Sequence, residues 1–232
     1  MVPAKAVSLE WRGWSPHDKV TKGGFLSDVR LDAPPLIRAC EAPEYLRDRC
    51  SEMMAQAPAL GLGYKKARLE PHLHARLLAQ FRDNVERFSS EGPVEEISTI
   101  DRRTIPTLFF EDLAFNVQLA EELKPLHEEW AGVPLTLSNC HGIRCYQRGT
   151  FLYMHVDRQP HFISSTICVD RLHASAWPFS ILNVDGQESQ LDLEPGDLVL
   201  YEGARLPHGR PYPLDGDFHA EIFVHYHPAR VP

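Results

Sequence analysis

The sequence predicts a mainly β fold of the α+β class, with helices confined to the N-terminal part. Up to about residue 130 the apolar residues recur at helical spacing, whereas from Leu135 onward they fall into short runs. Turn signals such as Asp185-Gly186 and Pro195-Gly196-Asp197 separate those runs. We expect one domain over residues 1–232, because a chain of this length can bury a full β core without a second domain.

Three helices are predicted within a mostly helical support region, residues 1–134. Residues 1–35 show little periodicity, although 7–11 could add an edge strand. The predicted helices span 43–57, 71–88 and 112–130. The last two carry an apolar stripe, which indicates burial, and we expect them to cover the outer face of a sheet.

Seven or eight strands are predicted in the β core, residues 135–232, and seven of them can be delimited. Their approximate bounds are 135–147, 151–156, 162–169, 178–184, 188–193, 197–202 and 218–226.

A His-x-Asp motif and a later histidine form the candidate metal site. His155 and Asp157 project to the same face of an extended strand, and His208 follows 51 residues after Asp157 in a Leu-Pro-His-Gly-Arg segment. A second strand must bring His208 to the pair. Two neutral imidazoles and one carboxylate on one face of an octahedron leave three positions open, an arrangement that suits non-haem Fe(II).

The order of these parts resembles the Fe(II)/2-oxoglutarate-dependent dioxygenases, in particular the prolyl 4-hydroxylase-like branch. The resemblance covers roughly residues 135–228. It rests on Tyr146-x-x-Gly149, His155-x-Asp157, Pro195-Gly196-Asp197, His208 and the strand after Gly216. It implies a double-stranded β-helix, a cupin-like jelly roll, with the iron at its open end.

The same resemblance implies an activity. The expected enzyme uses Fe(II), O2 and 2-oxoglutarate as cosubstrate, and it couples decarboxylation to succinate and CO2 with hydroxylation of an unactivated C–H bond. The substrate is a small molecule or a peptidyl residue such as proline. The alternative is a cupin-like metal-binding or regulatory protein without turnover. The presence of Asp157 argues against a halogenase, because the related halogenases have a small residue at that position.

Site roles also follow from the resemblance. His155, Asp157 and His208 would bind iron, and Tyr146 would hydrogen-bond the distal carboxylate of 2-oxoglutarate. The family's Lys or Arg partner for that carboxylate is missing, because Phe218 occupies its position. Another base should replace it, since a buried carboxylate without a cation is costly. The candidates, in order of preference, are Arg210, Arg144 and His219.

Two further residues are candidate substrate contacts. Arg158 follows the iron carboxylate at the expected rim of the site, with a structural salt bridge as the equal alternative. Trp177 precedes a strand near the expected open end, although an isolated aromatic residue of this kind is expected in the core rather than at the substrate. His225 and His227 offer a second two-imidazole pattern, but they lie where the resemblance predicts no ligands. We therefore expect no effect on activity from their replacement. Zinc is disfavoured because no Cys/His spacing forms a closed tetrahedral set.

The composition of the chain limits the classes of partner and the cellular location that we expect. A net charge of -8 without a basic run argues against nucleic acid. Five cysteines without paired spacing suggest free thiols in a reducing compartment, with Cys140, Cys145 and Cys168 in the core. No signal peptide or membrane span is predicted, so the expected location is the cytoplasm. The sequence leaves the oligomeric state open.

Overall fold

A computed structural model describes residues 52, 54–57, 60–91, 107–173 and 175–229. The predicted edge strand at 7–11 and the predicted helix at 43–57, apart from 52 and 54–57, lie outside these residues. The described helices are α1 (Pro71–Asp83) and α2 (Leu113–Ala131). The strands are β1 (Tyr64–Arg68), β2 (Ser89–Ser90), β3 (Leu108–Phe110), β4 (Leu135–Cys140), β5 (Ile143–Gln147), β6 (Leu152–His155), β7 (Ile163–Leu172), β8 (Phe179–Leu182), β9 (Glu188–Leu191), β10 (Asp197–Tyr201), β11 (His208–Arg210) and β12 (Phe218–Pro228).

Two antiparallel sheets form the predicted jelly roll. The larger has eight strands in the order β1-β10-β7-β12-β5-β3-β2, with β4 also paired to β12, and the smaller has the order β6-β11-β8-β9. Side chains from both sheets meet between them in one buried apolar cluster: Cys168, Phe179, Ile181, Leu193, Val199, Tyr201 and Leu206. Every described strand pair is antiparallel, as a jelly roll requires.

The two helices pack on the larger sheet, as expected from their apolar stripes. From α2, the Ala120 carbonyl accepts a hydrogen bond from the Tyr226 hydroxyl (2.6 Å), and His127 Nε2 lies 2.9 Å from Ser165 Oγ. From α1, His74 Nε2 lies 3.0 Å from the Val169 carbonyl oxygen. Within the described part of the chain, no helix is long and apolar enough to span a membrane.

Several element bounds differ from the predictions. The first helix of the pair ends at Asp83, because residues Val85–Arg87 turn into a 3-10 helix. The predicted strand 135–147 is two strands separated at Gly142, where a Cβ atom would lie 2.2 Å from the Phe110 carbonyl oxygen. Strands β1, β2 and β3 were not predicted. The second helix begins after its Asp112 cap and ends before Gly132, whose φ of 69° favours glycine.

The cysteine prediction is confirmed where the structure describes it: Cys140, Cys145 and Cys168 are buried free thiols.

Candidate metal centre

The metal-ligand candidates meet where β6 pairs with β11. His208 lies directly opposite His155 in the strand register, and the Asp157 N–H donates to the Gly203 carbonyl (2.8 Å) just beyond β6. One ligand atom from each of His155, Asp157 and His208 falls within 4.8 Å of the other two. The Nε2 atoms of His155 and His208 lie 3.9 and 3.5 Å from Asp157 Oδ1. A metal about 2.0–2.2 Å from each atom can bridge such separations.

Both imidazoles are held in the tautomer that a metal requires. His155 Nδ1 lies 2.7 Å from the Tyr153 carbonyl oxygen, and His208 Nδ1 lies 2.8 Å from the Leu206 carbonyl oxygen. A ring nitrogen that faces a carbonyl must carry the proton, so Nε2 of each ring keeps its lone pair. Burial, and after it His208, lowers the pKa of His155 to about 4. The neutral ligand form is therefore dominant at neutral pH.

The carboxylate of Asp157 is oriented by a serine and a third histidine. Ser164 Oγ donates to Asp157 Oδ2 (2.8 Å), and Ser164 Oγ also lies 2.8 Å from His225 Nδ1. Because the single hydroxyl proton goes to the carboxylate, His225 Nδ1 must be the donor to Ser164. Burial would raise the pKa of Asp157, but His208 and His225 hold it well below its ordinary value. Asp157 Oδ1 is left to bind a metal.

Gly203 makes room for this arrangement. A Cβ atom at Gly203 would lie 2.1 Å from Asp157 Oδ2 and 2.2 Å from Ser164 Oγ. Only a residue without a side chain allows both groups to occupy their positions.

His225 lies beside the metal ligands, a position that the sequence analysis did not predict. His225 is 4% exposed, and its Nδ1 lies 3.6 Å from Asp157 Oδ2. Its ring stacks on His161 with centroids 4.4 Å apart, and His141 lies 5.4 Å away. The period of two along β12 places His225 on the face of His219, a signal that the sequence offered. His227 is separate from this cluster, because the strand bulges after His225 and the His227 Nδ1 atom bonds the Pro228 carbonyl (2.9 Å).

Arg210, the preferred anchor for the cosubstrate, is fully buried on the same strand as His208. Its guanidinium lies 4.6 Å from the centre of the Trp177 ring and contacts the Trp177 carbonyl. It also forms an ion pair with Glu221. Arg210 Nε and Glu221 Oε2 are buried without a hydrogen-bond partner among the described residues. No local pattern in the sequence predicted that Glu221 pairs with this cation.

Arg144 and Tyr146 share the inner face of β5. Arg144 binds Glu91 through Nε (2.7 Å) and through a second nitrogen, so its charge is also balanced. The Tyr146 hydroxyl is buried and lacks a hydrogen-bond partner in the described part of the chain. Burial raises the pKa of Tyr146, although the nearby Arg144 opposes the shift. Tyr146 is therefore a neutral hydroxyl that can donate to a bound anion.

His219, the third candidate anchor, contacts the Arg210 pair. Its Nε2 lies 3.1 Å from Glu221 Oε1 and 3.2 Å from an Arg210 nitrogen. Burial, followed by Arg210, lowers the pKa of His219 to about 4, against the opposing effect of Glu221. Burial would raise the pKa of Glu221, but Arg210 and His219 lower it to about 2. A neutral imidazole is a poor sole partner for a carboxylate.

The two candidate substrate contacts lie in different environments. Arg158 is exposed, as expected for a residue at the rim. Trp177 is only 2% exposed, and its Nε1 donates to the Tyr212 carbonyl (2.7 Å). Its ring packs 5.1 Å from that of Tyr146. Trp177 therefore has the core position that the sequence favoured over a substrate contact, and its ring fills the interior beside Arg210.

The donor set fits a divalent metal with open coordination positions. Two unprotonated Nε2 atoms and one carboxylate oxygen converge, and no fourth protein ligand joins them among the described residues. Closed structural zinc sites have four protein ligands, whereas this set matches the two-histidine, one-carboxylate pattern of non-haem iron. The unpartnered Tyr146 Oη and Arg210 Nε atoms fit a bound carboxylate deeper in the interior.

Comparisons with known proteins support the fold. No protein-family model matches the sequence, and a search of curated proteins finds no match. A Pseudomonas putida prolyl-4-hydroxylase structure is similar with a TM-score of 0.54 at 15% identity, over 78% of this chain and 98% of the other. A Trichoplax adhaerens prolyl hydroxylase, in complex with a hypoxia-inducible factor peptide, gives 0.55 at 15% identity over 78% and 90%.

A third structure has a small-molecule ligand. HygX from Streptomyces hygroscopicus, with nickel, 2-oxoglutarate and hygromycin B bound, gives a TM-score of 0.53 at 14% identity, over 78% of this chain and 87% of the other. The chain therefore has the jelly-roll fold found in 2-oxoglutarate-dependent Fe(II) oxygenases.

Proposed function

We propose that this protein is an Fe(II)- and 2-oxoglutarate-dependent dioxygenase that hydroxylates an unactivated C–H bond. The observation that carries the proposal is the convergence of His155 Nε2, Asp157 Oδ1 and His208 Nε2, with both Nδ1 atoms bound to backbone carbonyls. When bound, Fe(II) and 2-oxoglutarate supply O2 activation, coupled to formation of succinate and CO2.

The protein's part is to fix the ligands before the metal arrives. The backbone carbonyls of Tyr153 and Leu206 orient the two imidazoles, and Ser164 occupies Asp157 Oδ2. Asp157 would then hold the metal through Oδ1 alone, and coordination positions would remain for the cosubstrate and O2.

Arg210 and Tyr146 are the proposed partners of the distal carboxylate of 2-oxoglutarate. Arg210 lies two residues beyond His208 on β11, about 6.6 Å along a strand, which suits a ligand that reaches inward from the metal. The buried Nε of Arg210 and hydroxyl of Tyr146 both lack partners within the described residues. Arg144 is the weaker candidate because Glu91 binds two of its nitrogens.

The substrate is proposed to be a polar small molecule or a peptidyl residue. His141, His161 and His225 form a cluster beside Asp157, and His161 Nδ1 has no partner in the described chain. Imidazoles in such a cluster offer hydrogen bonds to hydroxyl, amide or carboxylate groups. The exposed Arg158 adds a positive charge nearby. Among the similar structures, one enzyme has a peptide bound and another has hygromycin B.

A metal-binding protein without turnover is the second candidate. The observation that favours it is Glu221, whose carboxylate already pairs with Arg210. If Glu221 permanently replaced the cosubstrate carboxylate, metal would bind but 2-oxoglutarate would not.

Anaerobic binding of Fe(II), then of 2-oxoglutarate, followed by succinate release in oxygen, tests the proposal. We expect His155→Ala, Asp157→Ala and His208→Ala each to lose tight Fe(II) binding and nearly all succinate release, because two anchors hold a labile ion poorly. His227→Ala is the matched histidine control and should behave like wild type. Wild-type metal binding in any triad variant, or metal binding without 2-oxoglutarate binding in wild type, would contradict the proposal.

Two paired variants identify the anchor. Arg210→Gln with Glu221→Gln removes one whole ion pair, and Arg144→Gln with Glu91→Gln removes the other. Neither leaves an unpaired charge behind. A lost buried ionic contact is worth roughly 3–5 kcal/mol, which is roughly a 10²- to 4 × 10³-fold loss in affinity. We expect the first double variant to lose that much 2-oxoglutarate affinity with Fe(II) affinity retained, and the second to stay within tenfold. The reverse order would assign the anchor to Arg144.

A further inference from the structure

A row of hydrogen-bonded side chains runs from a surface cleft into the interior. In order, they are His173, His219, Glu221 and the buried Arg210. At the cleft, His173 Nδ1 lies 2.7 Å from the Ser175 carbonyl oxygen, and His173 Nε2 lies 3.1 Å from His219 Nδ1. His219 Nε2 lies 3.1 Å from Glu221 Oε1, which pairs with Arg210. The metal site does not use His173, His219 or Glu221 as ligands, so their arrangement needs a separate explanation.

Charge balance makes this row important for the cosubstrate. Arg210 and Glu221 are 0% and 1% exposed, and together they carry no net charge. A carboxylate that binds Arg210 leaves the buried group with one uncompensated negative charge, which is strongly unfavourable. One additional proton restores neutrality. Among the described residues, His219 is the titratable group in contact with both members of the pair.

The hydrogen bonds permit two assignments that differ by one proton. In the neutral assignment His173 Nδ1 donates to the Ser175 carbonyl, His219 Nδ1 donates to His173 Nε2, and His219 Nε2 accepts from Arg210. In the second, His219 Nε2 donates to Glu221 Oε1. The Ser175 carbonyl, the contact between the two rings and Glu221 Oε1 then each need one ring proton, so the two imidazoles must hold three ring protons rather than two. The second assignment holds one extra positive charge against Glu221.

The neighbouring groups on other elements do not supply this charge. Tyr146 lies opposite His219 on β5 and is neutral, because burial raises its pKa. Arg171 lies opposite His219 on β7, and it binds Asp192 (2.7 Å) and Glu194 (2.5 Å).

The cleft outside His173 is likewise balanced. Arg148 binds Asp215 (2.7 Å) and Asp217 (3.2 Å) across it. These pairs are partly exposed, so water screens them from the buried groups.

We propose that 2-oxoglutarate binding at Arg210 is coupled to uptake of one proton, which enters from the cleft through His173 and resides on the His173–His219 pair. The proposal rests on the proposed function. The proton draws Glu221 toward His219, and Arg210 is released to bind the distal carboxylate. No bond other than N–H forms or breaks, and solvent supplies the proton.

The direction of pH dependence follows. Without ligand, burial lowers the pKa of His219 to about 4 and also lowers the pKa of His173. A new buried anion favours the imidazolium and raises the pKa of the pair in the complex. Between the two pKa values, binding takes up a proton and its affinity falls about tenfold for each pH unit gained. Above the pKa of the complex, the uptake ends.

Calorimetry on the Ni(II)-loaded full chain tests the coupling, with 2-oxoglutarate as the probe. Titrations in two buffers of different ionisation enthalpy at the same pH give the number of protons taken up. We expect about one proton per 2-oxoglutarate near pH 6, with affinity decreasing toward pH 8. His219→Gln should abolish the uptake while Ni(II) binding persists. His72→Gln, at an exposed position on α1, is the control and should keep the uptake.

A second variant guards against misfolding. His173→Gln changes a partly exposed residue at the cleft and should reduce the proton uptake. It provides the test if His219→Gln does not fold. Normal 2-oxoglutarate binding without proton uptake in wild type would overturn the coupling and leave the proposed function standing. Uptake unchanged in both histidine variants would also overturn it. Failure of 2-oxoglutarate to bind at any pH would overturn both proposals.

Discussion

Gly203→Ala should damage the metal site without unfolding the protein. The backbone at Gly203 has no positive φ, so alanine is conformationally acceptable there. Its Cβ atom, however, would lie 2.1 Å from Asp157 Oδ2 and 2.2 Å from Ser164 Oγ. Atoms this close must separate to about 3 Å or more, which displaces the carboxylate by roughly 0.9 Å. Metal-ligand distances tolerate only about 0.2 Å.

The loss of metal affinity in Gly203→Ala follows from this displacement. Overpacking of this kind costs about 1–3 kcal/mol, which is roughly a 5- to 150-fold loss in an equilibrium constant. Because the strain falls on Asp157 and on its support Ser164, we expect most of it to appear in metal affinity. Titration of the apoprotein with Co(II) or Fe(II) under anaerobic conditions measures that affinity, and urea unfolding of the same sample measures stability.

Gly186→Ala is the matched control. Gly186 lies in the hairpin turn between β8 and β9, where a Cβ atom meets nothing within 4 Å but the φ of 74° is unfavourable for alanine. This variant should lose about 1 kcal/mol of stability with unchanged metal affinity. Wild-type metal affinity in Gly203→Ala would refute the proposed geometry around Asp157.

Two further predictions concern the supporting layer. His127 is fully buried between the Leu123 carbonyl and Ser165, and burial lowers its pKa to about 4. Below pH 6.5 the unfolded chain therefore takes up a proton that the folded chain does not. The stability contribution of His127 is therefore present above pH 6.5 and lost as the pH falls toward 4. In urea unfolding, the stability of His127→Gln should fall less between pH 7.5 and 5 than that of wild type, by roughly 2 kcal/mol. An equal pH slope in both proteins would contradict this. Deletion of residues 1–130 removes α1, most of α2 and strands β1 to β3. Fragment 131–232 should therefore be insoluble in expression trials, because an apolar sheet face meets water. A soluble, metal-binding fragment would show that the helices are dispensable.

The metal ligands could be predicted because local rules determine their placement. His155 and Asp157 share a side by the period of two, and the strand pairing that brings in His208 follows the order of parts in the resemblance. The two described helices were predictable for a similar reason, since their apolar stripes are local patterns. Strands β1, β2 and β3 were not, because they are short and β1 carries three basic residues among five. The pairing of β1 with β10, of β3 with β5 and of β2 with β3 depends on backbone hydrogen bonds that leave little trace in the side-chain pattern.

The partners of the buried charges were decided only by the tertiary structure. The sequence offered Arg210 and Arg144 as free cations, yet β12 brings Glu221 to Arg210, and a loop contact brings Glu91 to Arg144. The positions of His225 and Gly203 beside Asp157 likewise depend on where β12 ends and how closely the segment after β10 approaches. Sequence determined which groups can bind a metal, because ligand chemistry and strand period are local. Tertiary structure decided which charges are already neutralised, because electrostatic pairing depends on distances between residues far apart in the chain.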